Sequence, residues 1–366
     1  MKKKFITVLA VVLLLCAAVA AAIFLPGSNK GSSGFAPVAY VQEILDNTDS
    51  PAQVLLRGLK PSDRSGAIFI IGPGAYCDSL SGAFLRSESF DNIDGSRRPD
   101  ALPDFAGETI CSVADFSDFE AMGSAPDDSP LRELAVRSVL ASVDTLCYVS
   151  PYDPSGIGSK PLPKLIILAL PYVSAKGRAD LDTLLSACGC GIPVLEPVKV
   201  LTGSVPPAPR KKGRTVGVID PSNIGCYPAL LGPADDCIHY GDIPSESPLT
   251  AFLDRYIADG HSAPLDMLLL NDPAIDAGLM REEFSRVTSV MNEESLTYGN
   301  LFSKGFKIVD AREAITTEAF SIMRRRNLFT HYISSPACLQ YMLLPRENAA
   351  EGLMFMEFNE RFIPSD

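Results

Sequence analysis

Positive charge is scarce in this chain. Its 32 Lys and Arg stand against 44 Asp and Glu among 366 residues, for a formal net charge of −12. Three of those cations, Lys2, Lys3 and Lys4, precede an apolar leader, so the body is more acidic still. Binding nucleic acid through phosphate neutralisation needs the opposite balance, and that class of partner is excluded. Histidine is rare too: His239, His261 and His331 are dispersed, none at metal spacing from another. The nine cysteines contain no CxxC pair, and the one close pair, Cys188 and Cys190, has no flanking histidine. A zinc site needs clustered ligands, so no metal is expected, and no cofactor is expected either. The cysteines read as buried thiols acting as small hydrophobes, with disulfides left open in an oxidising compartment. The absence of G-x-S-x-G removes the hydrolase nucleophile elbow.

What is present begins with the leader. Residues 5–25 form an apolar run without a charge, preceded by the three lysines. At about 1.5 Å per residue such a helix nearly matches a ~30 Å hydrocarbon core, and the preceding positive charge keeps the N-terminus cytoplasmic. The leader, residues 1–26, therefore reads as a transmembrane anchor. A cleaved signal is the alternative suggested by Ala20-Ala21-Ala22. A lipoprotein is disfavoured by Leu15 before Cys16. Each reading places the body outside the cytoplasm, behind a Gly- and Ser-rich tether within residues 27–60.

In the body, Ala67–Ile71, Leu165–Leu170, Ile192–Leu195, Thr215–Ile219 and Met267–Leu270 are short, continuous apolar runs, with Lys307–Val309 a sixth. Continuous runs are expected of parallel strands covered on both faces. Helical stretches separate them: Pro130–Val143 behind a Ser129 cap, Asp180–Ala187, Leu249–Ala258, Ala277–Met291 and Ala311–Asn327. The alternation predicts an α/β protein of two doubly wound, mainly parallel-sheet lobes facing a central cleft. The lobes are expected at residues 61–205 and 213–330, with an acidic, strand-poor insertion at 85–128 and a C-terminal segment at 331–366. Oligomeric state is not legible.

The order of these segments resembles the aspartate/glutamate racemase superfamily, glutamate racemase above all. Lys164–Val198, KLIILALPYVSAKGRADLDTLLSACGCGIPVLEPV, is similar to that family's strand, catalytic loop, helix and "IPV" strand. Thr215–Tyr227, TVGVIDPSNIGCY, resembles the opening of its second half. Asp266–Asp276, DMLLLNDPAID, sits where the family carries its second catalytic loop, and Lys307–Ala314, KIVDAREA, is similar to a late strand–helix step. The resemblance implies the family's fold and a cleft for a small carboxylate. The family's two catalytic cysteines are not retained: Leu170-Pro171-Tyr172 stands at the first and Asp272 at the second. Cofactor-free racemisation needs two bases flanking the α-carbon, and leucine has no titratable proton.

Candidate site residues follow from strand tips, where ligands bind in open α/β sheets. Gly72-Pro73-Gly74 follows the first strand and offers backbone N–H groups, with Gly72 and Gly74 as ligand-loop candidates. Cys77 lies just beyond, before a helix expected near Asp78, where a thiol pKa falls. Asp220, Ser222 and Asn223 follow the strand of the second lobe, with Cys226 close behind. Asn271 and Asp272 follow the next strand, and Tyr172 and Ser174 are placed across the cleft. Three functions are open: an anchored racemase-like protein that binds a small carboxylate or amino-acid-like ligand without two-cysteine chemistry, an isomerase or lyase using Asp272 with Cys226 or Cys77, or an extracytoplasmic solute-binding protein.

Overall fold

Ala67–Gly72 forms strand β1 and shows why its apolar run is unbroken. Ala67, Phe69 and Ile71 enter one core while Ile68 and Ile70 enter another. A strand covered on both faces has no solvent side to make polar. The computed structural model describes residues 35–59, 64–117, 122, 127–150, 155–169, 177–206, 213–222, 227–289, 293–345 and 353–357. Among them no helix is long and apolar enough to cross a membrane. The leader lies outside the described residues, as do Leu170, Tyr172, Ser174, Asn223 and Cys226.

Helices α1 (Ala39–Asp46) and α2 (Pro51–Gly58) precede β1, and α3 (Gly74–Arg86) follows it. The chain continues through β2 (Thr109–Asp115), α4 (Ser129–Val143), β3 (Leu146–Tyr148), β4 (Ile157–Ser159) and β5 (Pro163–Leu168). It then forms α5 (Arg178–Ala187), β6 (Val194–Leu195) and α6 (Pro197–Gly203). A smaller sheet is built next from β7 (Thr215–Ile219), α7 (Tyr227–Leu230), β8 (Asp236–Tyr240), α8 (Pro248–Ala258) and β9 (Leu265–Leu270). After α9 (Ala277–Val287) and α10 (Glu293–Tyr298) come β10 (Phe302–Asp310) and α11 (Ala311–Arg325). The last strands, β11 (Ala337–Pro345) and β12 (Leu353–Glu357), return to the first sheet. Among the described residues the large sheet runs β4-β3-β12-β11-β2-β1-β5-β6 and the small one β10-β9-β7-β8. Pairing in the small sheet is parallel throughout; in the large one β11–β12 and β3–β4 are antiparallel.

Several sequence expectations are corrected. Residues 85–128 are not strand-poor: β2 lies inside them, between β1 and β11. Its run, TICSVAD, is interrupted by Ser112, which is nonetheless buried, and acidic flanks mask it. The C-terminal residues are not an appendage, since β11 pairs with β2 from Ala337 opposite Thr109 to Leu343 opposite Asp115. Ser129 does not cap α4 but is its first residue, its hydroxyl donating to Asp127 Oδ1 at 2.8 Å. The helix expected near Asp78 starts at Gly74, with Pro73 as its N-cap.

One apolar core is common to both sheets. It contains Ile68, Ile70, Leu165 and Ile167 from the large sheet and Val216, Val218, Met267 and Leu269 from the small one, with α3, α6 and α11 contributing Leu80, Leu201 and Ile315. Burying each such side chain is worth roughly 1.5–3 kcal/mol. Opening the sheets apart as rigid lobes would expose several at once, so the shared core holds the two sheets together. At the opposite, amino ends of the strands, Lys164 and Glu108 form a fully buried ion pair. Lys164 Nζ also donates to the carbonyls of Arg64 (2.9 Å) and Leu328 (3.0 Å), and Glu108 Oε1 accepts from Thr330 N at 2.8 Å.

Candidate functional site at the strand tips

The carboxyl ends of strands from both sheets meet. Pro73 after β1, Ala169 after β5, Asp220 and Ser222 after β7, and Asn271 after β9 line one cavity of about 110 Å3. Gly72 is required by close approach: a Cβ there would stand 2.8 Å from the Ala169 carbonyl oxygen and 2.9 Å from its Cβ. At Gly74 a Cβ would meet Ala114 Cβ at 3.7 Å, ordinary contact, so packing does not demand glycine there. The first intrahelical bond of α3 runs from Cys77 N to the Pro73 carbonyl at 2.9 Å. Gly74, Ala75 and Tyr76 therefore present first-turn N–H groups that have no acceptor within the helix.

Asp220 organises the other wall and is 1% exposed. Its Oδ1 accepts from Ser222 N at 2.8 Å and from the Ser222 hydroxyl. Its Oδ2 accepts from Asn271 Nδ2 at 2.8 Å and from the Tyr227 hydroxyl at 2.5 Å. Asn271 Oδ1 in turn accepts from the Tyr76 hydroxyl at 2.6 Å, which ties α3 of the large-sheet side to the tip of β9. Burial, followed by the charges of Asp220 and Asp310, pushes the Tyr76 hydroxyl well above the usual phenol range. The phenol is a fixed donor, not a base. His239 Nε2 contacts the Asp220 carbonyl oxygen at 2.9 Å, which gives that histidine a structural partner.

Asp272 is the freer carboxylate. Its Oδ1 accepts from Ala274 N at 2.8 Å. Burial pushes its pKa up, and the charge of Asp220 adds to the rise. It shares a space of about 10 Å3, room for one water, with Tyr76, Ser79, Asp310 and Arg312. Asp310 caps α11 and binds Arg312 Nε at 2.9 Å, while Arg312 Nη2 donates to the Ile275 carbonyl at 2.8 Å. Burial nonetheless pushes the Asp310 carboxyl up, against the pull of Arg312.

The structure thus brings together the Gly72–Gly74 turn, Asp220, Ser222, Asn271 and Asp272. Cys77 does not join them. Its side chain is fully buried in the common core and donates to the carbonyls of Gly72 and Val113, each at 3.3 Å. Burial pushes its thiol strongly up, the reverse of the lowering expected at a helix start. Tyr76, Tyr227, Asp310 and Arg312 are site residues the sequence reading missed. Asp310 follows β10 as Asp220 follows β7, so the strand-tip rule applied once more would have found it. Nothing local marks Tyr76.

The described residues define a two-sheet, mainly parallel α/β protein whose strand tips enclose a narrow cavity lined by the Asp220 carboxylate, with Asp272 and Asp310 around a smaller space beside it. No family model matches the chain, nor does any curated protein. Among solved structures it is similar to a glutamate racemase isoform from Bacillus anthracis, at 13% identity and a TM-score of 0.46, over 76% of this chain and 89% of that one. It is also similar to glutamate racemase from Francisella tularensis, solved with D-glutamate, at 14% identity and a TM-score of 0.45, over 76% and 88%. A third similar structure is glutamate racemase from Thermus thermophilus with beta-chloro-D-alanine, at 14% and 0.45, over 76% and 88%. Those ligands belong to those enzymes; the site here is read from its own residues.

Proposed function

We propose that the strand-tip cavity binds a small amino-acid-like molecule without racemising it, in a protein tethered outside the cytoplasm by its N-terminal segment. The observation that carries this reading is the Asp220 carboxylate. It is buried, it lines the cavity, and it has no ion-pair partner among the described residues. A buried negative charge without a cation favours a ligand that brings one. The amino group of the ligand faces Asp220, and its carboxylate faces the first-turn N–H groups of α3. A cavity near 150 Å3 holds a benzene, so about 110 Å3 selects a small amino acid over a bulky one. Two-base proton transfer is disfavoured because Tyr76, the titratable group on the α3 side, is locked as a donor, which leaves Asp272 as a lone base.

Titration calorimetry of the full chain against glycine, alanine and both hands of glutamate tests this reading. Saturable heat with the small amino acids, weakened in Asp220→Asn, is expected; no heat with any of them overturns it. The isomerase reading rests on the raised pKa of Asp272. It requires solvent deuterium to enter the α-carbon of a substrate and that exchange to vanish in Asp272→Asn. The tether is tested by fusing alkaline phosphatase after Leu59, which is active only if that point lies outside the cytoplasm.

A further inference from the structure

A second cavity, of about 650 Å3, opens between α6 and α11, beside β6 and β10, the outer strands of the two sheets. Its volume falls within the roughly 300–1,000 Å3 of ligand sites, which the strand-tip cavity does not reach. Every acid on its wall already has an arginine. Glu196 pairs with Arg178 at 2.7 Å, Asp310 with Arg312 at 2.9 Å, Glu313 with Arg281 at 2.7 Å and Glu318 with Arg325 at 3.1 Å. The cations on the wall are not matched in the same way. Arg97 lies over the Phe90 ring at 6.0 Å, and neither it nor Lys199 has an acidic partner among the described residues. Arg178 uses Nε on Asp182 and Nη1 on Glu196 and the Val194 carbonyl, which leaves Nη2 without an acceptor among the described residues. In a chain of net charge −12, the charge left over in this cavity is positive.

We propose that this cavity is a binding site for a small organic anion, a carboxylate or a phosphate. Lys199, Arg97 and the free edge of Arg178 hold the anionic group, and Val200, Ile308 and Ala314 contact the apolar remainder. The site shares no lining residue with the strand-tip cavity of about 110 Å3; Asp310 touches this site and the small space beside Asp272.

The test uses the full chain, with thermal unfolding followed in succinate or inorganic phosphate at constant ionic strength set with chloride. The wild-type midpoint is expected to rise saturably with at least one of the two anions, and which one raises it identifies the headgroup. Arg97 and Lys199 are exposed, so the double variant R97E/K199E is expected to fold and to weaken the anion by at least about tenfold. Lys304→Glu, an exposed charge change away from the wall, leaves it unaltered. No rise in the wild type, or an equal rise in R97E/K199E, overturns the proposal. Asp220→Asn separates this site from the strand-tip one, because it leaves anion binding here intact whichever way the amino-acid titration comes out.

Discussion

Replacing Asp220 by alanine isolates the network on which the strand-tip cavity is built. The carboxylate accepts four hydrogen bonds. Ser222 is only half-buried, so water replaces its acceptor when Asp220 goes. The Tyr227 hydroxyl and Asn271 Nδ2 belong to buried residues and lose a charged acceptor, although Nδ2 keeps a 3.2 Å contact with the Tyr227 hydroxyl oxygen. A hydrogen bond to a charged group is worth about 1.5–3 kcal/mol, and Nδ2 keeps part of its share, so the loss is about 2–4 kcal/mol. At an m-value of about 3 kcal/mol/M, this lowers the urea midpoint by about 0.7–1.3 M with little change in slope. Asp242→Ala, the same charge change at an exposed position, is the control and is expected to move the midpoint little. In a Tyr227→Phe background the cost of Asp220→Ala falls by about 1–3 kcal/mol, since one of the stranded donors is already gone. A midpoint shift below about 0.3 M, or an equal cost in both backgrounds, would refute the reasoning that these donors depend on Asp220.

Two further expectations concern other groups. Asp272 is pushed above its ordinary 3.8 by burial and then by Asp220, so the folded chain holds that proton more tightly than the unfolded one. Its contribution to stability is complete at low pH and declines as pH rises from 3.8 through the raised value. Asp272→Asn removes the decline, so the variant gains stability relative to wild type between about pH 4 and about pH 7; equal urea midpoint differences at the two pH values would count against it. Lys164→Met leaves Glu108 ionised and buried without its partner and is expected to cost about 3–5 kcal/mol. The double variant Glu108→Gln/Lys164→Met recovers most of that loss in chemical unfolding, whereas two additive losses would show that the pair is not coupled.

The strands legible from sequence were those whose both faces are apolar. In β1, β5, β7 and β9 the apolar run is unbroken beyond the polar residues near the amino end, Lys164, Thr215 and Asp266, because each run is covered on both sides. β2 and β11 are interrupted by Ser112 and Gln340 and sit next to one another in the large sheet. Their pairing is a long-range fact with no local trace, and so residues 331–366 read only as a C-terminal segment outside the two lobes. The site divides along the same line. Asp220, Asn271 and Asp272 were found because a strand tip is a local feature. Tyr76 was not, because its value depends on a partner 195 residues away in the other sheet. Cys77 misled for a related reason: proximity to a helix start lowers a thiol pKa only where solvent or a cation supports the charge, and here the common core removes both.

The two cavities differ in the sign of the charge left unbalanced, and the cause lies in secondary structure. At the strand tips, acids end β7 and β10 and follow β9, and Asp310 doubles as a helix cap that accepts from the Arg312 amide at 3.0 Å. Capping residues are acidic or amidic because they must accept from N–H groups. A rim made of successive strand ends that lead into helices therefore accumulates carboxylates, whatever it binds. The larger cavity is walled by helix sides, where Glu313 of α11 finds Arg281 of α9 and Glu318 finds Arg325 of its own helix, while Lys199 of α6 and Arg97 of the 91–98 loop have no acidic partner among the described residues. Asp310 lines the larger cavity and the small space beside Asp272. Its charge is held by Arg312, which also grips the loop that carries Asp272 through the Ile275 carbonyl. One arginine thus fixes both the end of β10 and the loop that carries Asp272.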